Sequence, residues 1–405
     1  MNFKKMLSML LALAMLLAAF AFAETEDVPA ATAGDANETE TSDPNPVIAT
    51  LRGYTVTKED VVYYAQQLYS EGMIASATDY ATALDYLLIY TALPSIIVEE
   101  KGAENLLGKE KMDELYEEAA VRFDEEINSY ITYFYGELSE EEYKQMYDLV
   151  ASAYAEQGYP KEKYQESYVT GEAFAAYFDT FTFDITDEEV YETFVSFADA
   201  DKDMFEGNIM LYEYYTNNYG YSALYQPSGY RGITHILIDA DADALTAYAQ
   251  AAAGTDAEAI ENAKNAVIES CREKLDEIYA RIENGEAFET LIAEYNTDPG
   301  MSGDNLLNGY AVHKDTYVFM QEFTDGAFSE KMQAVGDVSD PVVTSYGVHI
   351  LYYLRDIPAG PVEFTDELKA SMYNYLLYSR QDALLRQWLS EYGVEYTAAY
   401  ADVIG

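Results

Sequence analysis

Histidine and cysteine, two residue types that often act as catalysts or metal ligands, are scarce in this 405-residue chain. Histidine occurs only at His235, His313 and His349, so any imidazole acid–base chemistry has a short list of candidates. The single cysteine, Cys271, cannot form an intramolecular disulfide. The sequence also lacks the cysteine cluster that holds a structural zinc ion or an iron–sulfur cluster.

Three short motifs imitate known sites and can be set aside. Acidic runs that begin at Asp199 and Asp239 place an acid at every second position, as a calcium-binding loop does. Both runs lack the glycine at the sixth loop position and the bidentate glutamate at the twelfth, which excludes an EF-hand. The stretch 300–304 lacks the final glycine of a serine nucleophile elbow.

The charge of the chain excludes some partners. It has 73 acidic and 23 basic side chains, which gives a formal net charge of −50. A surface this negative repels phosphate backbones and anionic lipid headgroups. We therefore expect no nucleic-acid partner and no electrostatic docking on membranes.

The N-terminal residues have the composition of a targeting signal. Two lysines precede an apolar stretch, and a small-x-small cleavage site ends at Ala23, so residues 1–23 are predicted to be a cleavable signal peptide. A membrane anchor is the alternative, but the apolar stretch is short for a span, which needs about 20 residues. No lipobox cysteine lies near the cleavage site. We expect a secreted or extracytoplasmic protein without a stable membrane anchor after cleavage.

Residues 24–46 are acidic and almost devoid of large apolar side chains, so they are predicted to form a disordered linker. Residues 47–56 alternate apolar and polar side chains and predict a hairpin, and Thr57 has the features of a helix N-cap. Apolar residues at spacings of three and four then predict helices to about residue 203. The segment 207–230 is rich in Tyr, Asn and Gly and predicts a loop or irregular hairpin.

From residue 231 onward the pattern mixes strands and helices. A short β-type run at 234–238 precedes an alanine-rich helical stretch, and two further strands are predicted at 338–343 and 347–354. A long helix is predicted between Thr365 and Tyr392. We divide the folded chain at 47–230, 231–357 and 358–405.

Four segments in this region resemble parvulin-type peptidyl-prolyl isomerases. They read THILID, IENGEAFETLIAEYNTDPG, FMQEFTDGAF and VGDVSDPVVTSYGVHILYYL, and they occur in the order of the family over residues 234–354. Each fragment is weak evidence alone, but four in the correct order are specific.

The resemblance implies a site and its roles. The catalytic set would be two histidines, a carboxylate and a hydroxyl: His235, His349, Asp298 and Thr344. The substrate-binding side chains would be Phe319, Met320, Phe323 and Tyr346. His313, in a loop, would take no part.

These residue types suit isomerisation of an Xaa-Pro peptide bond. The barrier to rotation is about 20 kcal/mol, because the twisted amide loses its resonance. An enzyme lowers this barrier by binding the twisted amide more tightly than the planar one. An apolar pocket for the proline ring and a polar floor for the amide are sufficient, so no cofactor and no metal are expected.

Two segments depart from the family pattern. Residues 302–310 replace the usual Gly-Gly-Asp-Leu-Gly turn, so that the pocket leucine is Leu306, Leu307 or absent. The segment from Asp239 to about Arg281 is longer than in a minimal parvulin.

Residues 47–205 resemble the N-terminal domain of SurA- and PrsA-like extracytoplasmic foldases. The fold class is therefore expected to be α+β, with a mostly helical SurA-N-like chaperone domain onto which the C-terminal helix packs back. A small parvulin domain, an antiparallel sheet surrounded by helices, completes the chain. The expected function is a secreted foldase that isomerises Xaa-Pro bonds in unfolded exported polypeptides. The alternatives are an inactive holdase chaperone and an extracellular binding or scaffold protein.

Overall fold

The computed structural model describes residues 43–156 and 159–404. The expected signal peptide and all of the expected linker except residues 43–46 lie outside the described residues. Contacts between residues divide the chain into two units. The first unit consists of two chain segments, one up to Ile185 and one from Asn374 onward. The second unit comprises Thr186–Tyr373.

The first unit is mostly helical and contains a small sheet. Its elements before Ile185, in chain order, are β1 (Val47–Leu51), β2 (Tyr54–Thr57), α1 (Lys58–Ser70), α2 (Tyr80–Leu87), a π-helical turn (Leu88–Ala92), α3 (Leu93–Lys101), α4 (Ala103–Leu107), α5 (Lys109–Tyr135), α6 (Glu140–Glu156) and α7 (Lys161–Phe178). Strands β1 and β2 pair antiparallel, as predicted from the alternating residues. The hydroxyl of Thr57 accepts from the Asp60 amide, and the Asp60 carboxylate accepts from the Thr57 amide. This capping box confirms the predicted start of the first helix.

The C-terminal part of the chain completes the first unit. The boundary between the units falls inside the helix Asp366–Tyr392, which is followed by a strand at Val394–Tyr396 and a helix at Tyr400–Ile404. The C-terminal strand pairs with β1. Leu385 is fully buried in the same apolar cluster as Ile48, which lies more than 300 residues earlier. The predicted packing of the C-terminal helix onto the N-terminal elements is confirmed.

One helical run of the first unit, Tyr80–Lys101, is long and apolar enough to cross a membrane, by length and composition only. Two thirds of that apolar window (67%) is buried inside the protein, as in the core helix of a globular domain.

The second unit contains a four-stranded antiparallel sheet and most of the shorter helices. Its elements, in chain order, are α8 (Asp187–Phe205), α9 (Ile209–Asn218), β3 (Tyr225–Gln226), β4 (Arg231–Ile238), α10 (Ala242–Ala252), α11 (Ala257–Ser270), α12 (Arg272–Glu283), α13 (Phe288–Tyr295), α14 (Asp304–Asn308), β5 (Tyr310–Val312), α15 (Gln321–Ala327), β6 (Val342–Thr344), β7 (Gly347–Asp356) and β8 (Gly360–Pro361). The first turns of α16 (Asp366–Tyr392) also belong to this unit. The C-terminal elements described above, β9 (Val394–Tyr396) and α17 (Tyr400–Ile404), belong to the first unit.

The sheet has the strand order β5-β4-β7-β6, and its two faces are packed differently. Successive side chains of a strand point to opposite faces. One face, which includes Ile236 and Ile350, packs against helices α10 to α13. The other face, which includes Ile233 and Leu351, packs against α15. Both faces are covered, so most residues of the central strands are buried.

The segment 207–230 differs most from the sequence-based expectation. It contains the helix Ile209–Asn218 rather than a loop, and the Asn208 side chain caps that helix by accepting from the Leu211 amide. Only Ile209 and Glu213 of this helix are buried, so the sequence shows no apolar stripe by which a helix would be recognised.

The observed division of the chain also differs from the boundaries at 230 and 357. The helix Asp187–Phe205 contacts the short strands β3 and β8 of the second unit. The buried carboxylate of Asp201 accepts from the Leu224 amide and the Tyr221 hydroxyl. These contacts place residues 186–230 with the sheet rather than with the first helices.

A half-buried glutamate lies in the first unit. Glu126, on helix α5 (Lys109–Tyr135), has a carboxylate oxygen with no hydrogen-bond partner among the described residues. Burial raises the pKa of Glu126 to about 7. A carboxyl group whose pKa is higher in the folded than in the unfolded state stabilises the fold when the pH is below its unfolded-state pKa. This stabilisation is lost as the pH rises through the folded-state pKa. The penalty for the charged form is therefore largest above pH 7.

We predict that Glu126→Gln raises the free energy of unfolding of the first unit by about 1 kcal/mol at pH 8, because it removes a poorly solvated charge. At pH 4, below the unfolded-state pKa, the carboxyl group is mostly protonated in both states, so the two proteins should be equally stable. Urea denaturation at both pH values measures the difference, with the exposed neighbour Glu125→Gln as the control. An equal effect of Glu126→Gln at the two pH values would contradict the prediction.

Candidate active site

The pairing of β4 with β7 brings two histidines onto one face of the sheet. In the antiparallel register Leu237 lies opposite His349, and His235 lies two residues from Leu237 on the same face. The imidazole rings of His235 and His349 have their centroids 5.0 Å apart at an angle of 64°. Both side chains are buried, with 2% and 6% of the residue exposed.

The hairpin between β6 and β7 adds a hydroxyl to this pair. Thr344 Oγ1 and His349 Nε2 are hydrogen-bonded at 2.8 Å, and the Tyr346 amide donates to the same oxygen at 3.1 Å. Gly347 closes the turn with a φ of +145°, and a Cβ there would lie 2.4 Å from the Ile238 carbonyl oxygen. Only glycine therefore allows β7 to approach β4 closely enough at this point.

The carboxylate of Asp298 comes from the turn after helix α13 (Phe288–Tyr295). The Asn296 side chain fixes this turn to β4, because its Oδ1 accepts from the amides of Leu237 and Asp298. The amide of Gly300 donates to Asp298 Oδ1 at 2.9 Å. The backbone of the turn and the strand thus orient the carboxylate together.

Asp298 contacts two site side chains through its other oxygen. Its Oδ2 lies 3.1 Å from His235 Nε2, a contact that is an ion pair only when the ring is protonated, and the ring is not aligned for a hydrogen bond. The Tyr310 hydroxyl donates to Oδ2 at 3.0 Å. The Tyr310 ring also stacks on His235, with centroids 5.7 Å apart. Asp298 and His235 are therefore held by the same tyrosine.

Aromatic side chains pack against the histidines. The Phe323 ring lies nearly perpendicular to both imidazoles, with centroids 5.3 Å from His235 and 5.5 Å from His349. Phe319 stacks on Phe323 at 5.5 Å and also contacts Tyr310. A polar floor and an apolar wall therefore meet at Phe323.

The other two expected substrate-binding residues lie at the margin. Met320 is partly buried against the same apolar cluster as Phe323, and its sulfur accepts from the Ser345 hydroxyl. The Tyr346 side chain is 68% exposed. Its backbone amide, rather than its ring, contacts the described catalytic set.

The structure also places the residues whose position the sequence left open. Leu306 packs against the opposite face of the sheet, and Leu307 is 72% exposed, so neither belongs to the cluster that contains Phe323. His313 is buried beside Tyr230 and accepts from the Asp315 amide, apart from the other two histidines.

Burial keeps both site histidines neutral. It lowers the pKa of His235 to about 4, against the opposing effect of the Asp298 charge. It lowers the pKa of His349 to about 3, and the neighbouring His235 adds to this shift. Burial, together with the Asp298 charge, raises the pKa of Tyr310 to about 12. At neutral pH the site therefore combines one carboxylate, two neutral imidazoles and two hydroxyl groups.

This arrangement can bind an amide in a changing geometry. Ring nitrogens His235 Nδ1 and His349 Nδ1 have no hydrogen-bond partner among the described residues. A buried polar atom without a partner is costly, so these nitrogens are available to a bound polar group. The rings of Phe323 and Phe319 beside them supply an apolar contact surface.

Two positioning residues were missed in the sequence. Tyr310 follows the altered turn at 302–309, where the family pattern gave no guide, and Asn296 stands two residues before Asp298 in a polar turn. The Asn296 position carried a signal, since asparagine side chains often satisfy the backbone groups of a turn. Tyr310 carried no comparable signal, because its contact with Asp298 depends on the tertiary fold.

Comparison with known proteins identifies the domain that holds this site. Residues 235–355 match the family model of the PPIC-type peptidyl-prolyl isomerase domain. The foldase protein PrsA of Caldanaerobacter subterraneus is 32% identical over 116 residues, which cover 29% of this chain and 35% of that protein. The chaperone SurA of Pseudomonas syringae pv. tomato is 37% identical over 116 residues, which cover 28% of this chain and 25% of that protein.

The chain thus spans about a third or less of the length of these relatives, and the family model covers residues 235–355 only. The crystal structure of PrsA from Bacillus subtilis is 18% identical and aligns with 85% of this chain and 91% of its own, at a TM-score of 0.21. A TM-score this low supports no argument about function or domain arrangement. The parvulin-type assignment made from the sequence motifs is confirmed for the domain at 235–355.

We predict that His235 and His349 stay neutral down to about pH 4, because protonation would place a charge in a buried site. Nuclear magnetic resonance of labelled imidazoles should show no inflection for either residue near pH 6.5, the value of a solvated histidine. Since the folded-state pKa values are depressed, the stability they contribute is present above pH 6.5 and is lost as the pH falls toward 4. An inflection near pH 6.5 for both rings would refute this account.

Proposed function

We propose that the parvulin-type domain of this chain catalyses cis-trans isomerisation of Xaa-Pro peptide bonds. The observation that carries the proposal is the packing of the Phe323 ring against both neutral imidazoles. A proline ring against Phe323 and Phe319 would place the preceding amide over the histidine nitrogens. The site would thus recognise both parts of an Xaa-Pro unit.

The mechanism needs no covalent step. Twisting the amide moves electron density back to nitrogen and turns the carbonyl out of plane. Fixed polar groups that match the twisted amide better than the planar one lower the barrier. His235 and His349 would supply these groups while staying neutral, and Thr344 and Asp298 would hold the two rings in orientation.

We assign the chain to folding of exported polypeptides outside the cytoplasm. The predicted signal peptide supports export, and the relatives are called foldases and a chaperone. The first unit would hold the client, since it exposes aromatic side chains such as Tyr133 and Phe134 at the end of α5 (Lys109–Tyr135). Unfolded polypeptides that contain proline are the proposed partners.

We expect His349→Ala and Asp298→Ala to lower kcat/KM at least about tenfold, because each removes a group that binds or orients the twisted amide. The assay is protease-coupled isomerisation of a short proline peptide by the full chain. Asp304→Ala, an exposed acid in the same loop, is the matched control.

Absence of any acceleration by the wild-type protein would exclude the enzyme. If the protein still suppressed aggregation of an unfolded client, the holdase alternative would then stand.

Tyr310→Phe tests the positioning of Asp298. The substitution keeps the ring stacked on His235 and removes only the hydroxyl that donates to the carboxylate. We expect kcat to fall about fivefold with KM unchanged, which corresponds to about 1 kcal/mol for one hydrogen bond. Tyr353→Phe keeps its ring and removes a comparable tyrosine–carboxylate bond, to Asp356 rather than to Asp298, and should leave both parameters unchanged.

A rise in KM alone would assign Tyr310 to substrate binding instead of positioning.

A further inference from the structure

An uncharged aromatic surface lies on an element that is hydrogen-bonded to Thr316 and Tyr317, in the loop before Phe319. It is formed by Tyr214, Tyr215, Tyr219 and Tyr221, on and after helix α9 (Ile209–Asn218), and we name it the aromatic platform. All four side chains are exposed, by 39% to 67%. Tyr214 and Tyr219 have ring centroids 5.3 Å apart, and Tyr215 lies 6.2 Å from Tyr221. The four rings therefore form one continuous surface.

The segment that carries the platform has far fewer charged residues than the chain as a whole. Charged residues make up 24% of the sequence, yet Glu213 is the only one between Glu206 and Arg231. Glu213 itself is 4% exposed, so it adds no charge to the surface. A contiguous apolar patch on an otherwise acidic protein marks a site of interaction.

Glu213 fastens the platform to the loop that leads into the pocket. Its carboxylate accepts from the Thr316 hydroxyl at 2.8 Å, from the Tyr317 amide at 3.1 Å and from the Tyr230 hydroxyl at 3.0 Å. The Asn218 side chain also donates to the Tyr317 hydroxyl at 3.2 Å. A buried carboxylate with this many donors fixes helix α9 against the loop.

The platform lies within reach of a peptide bound in the pocket. Tyr317 is two residues from Phe319, a span of at most about 7 Å, and the ten-residue helix α9 extends the surface by about 15 Å. An extended peptide advances about 3.4 Å per residue. Side chains about two to six residues from the bound proline would therefore meet the platform.

We infer that the aromatic platform binds apolar side chains of the client polypeptide that flank the isomerised proline. The inference rests on the proposed isomerase function and gives it a substrate preference: proline segments with a Phe, Tyr or Leu two to six residues away. Tyrosine suits this task, because it offers a large rigid contact area with a polar edge.

The test compares two labelled peptides with the same central Ala-Pro, one with Phe at three and five residues on both sides of the proline and one with Ser at those positions. Fluorescence anisotropy gives their Kd values for the full chain. We expect the Phe peptide to bind about tenfold more tightly, and Tyr214→Ser with Tyr219→Ser to reduce that ratio to about two or less.

The control is Tyr69→Ser with Tyr396→Ser, two tyrosines of the first unit that are 52% and 55% exposed. These substitutions should leave the Kd ratio at its wild-type value. Tyr214→Phe with Tyr219→Phe keeps the rings and should also preserve the ratio, which separates loss of the surface from misfolding. An equal Kd for both peptides in the wild type, or loss of the ratio only in the control, overturns the inference.

Binding and catalysis are read separately. A short peptide that has only one residue on each side of the proline does not reach the platform. The platform substitutions should therefore leave its isomerisation rate unchanged. Suppose that neither the wild-type protein nor any variant isomerises a peptide, while the wild type binds the Phe peptide more tightly and the Tyr214→Ser with Tyr219→Ser protein loses this preference. The isomerase proposal then fails, and the platform remains a binding surface.

Discussion

The antiparallel pairing of β4 with β7 is the interaction on which the rest of the second unit depends. It joins segments more than 100 residues apart and sets Leu237 opposite His349. A shift of one residue in this register would send either histidine to the other face, where helices α10 to α13 are packed. Such a shift would cost free energy, because it would bury the polar imidazole rings in the apolar cluster that contains Ile236 and Ile350. The chemistry of the site is therefore fixed by hydrophobic packing.

Burial determines what the paired imidazoles can do. Surrounded by Phe323, Tyr310 and the sheet, they remain neutral, and their unpaired nitrogens are free to contact a substrate amide. Asp298 is the only charge of the candidate catalytic set, and the turn at 296–300 orients it through backbone amides. The site resembles a preorganised polar surface next to an apolar wall, which suits a reaction without bond cleavage.

The sequence predicted some elements well because their signals were local. The capping residue Thr57 and the strand around His235 were recognisable from a few neighbouring residues. Helix α9 was not, since only Ile209 and Glu213 are buried and no apolar stripe results. Tyr310 was missed because its role depends on the distance to Asp298. The predicted domain boundary near residue 230 also differs from the observed contacts. Asp201, on helix α8, accepts hydrogen bonds from Tyr221 and Leu224, which follow helix α9.

The sequence by itself determined the class of chemistry: three histidines, one cysteine, a strongly acidic composition and four ordered motifs left few candidate functions. It also determined the α+β character, because helical and strand periodicities are properties of local sequence. Only the tertiary structure decided which side chains share an environment. It joined Tyr310 to Asp298, enclosed the histidines and attached the tyrosines of helix α9 to the pocket loop through Glu213. These contacts join residues far apart in the chain, and no local pattern encodes the distance between them.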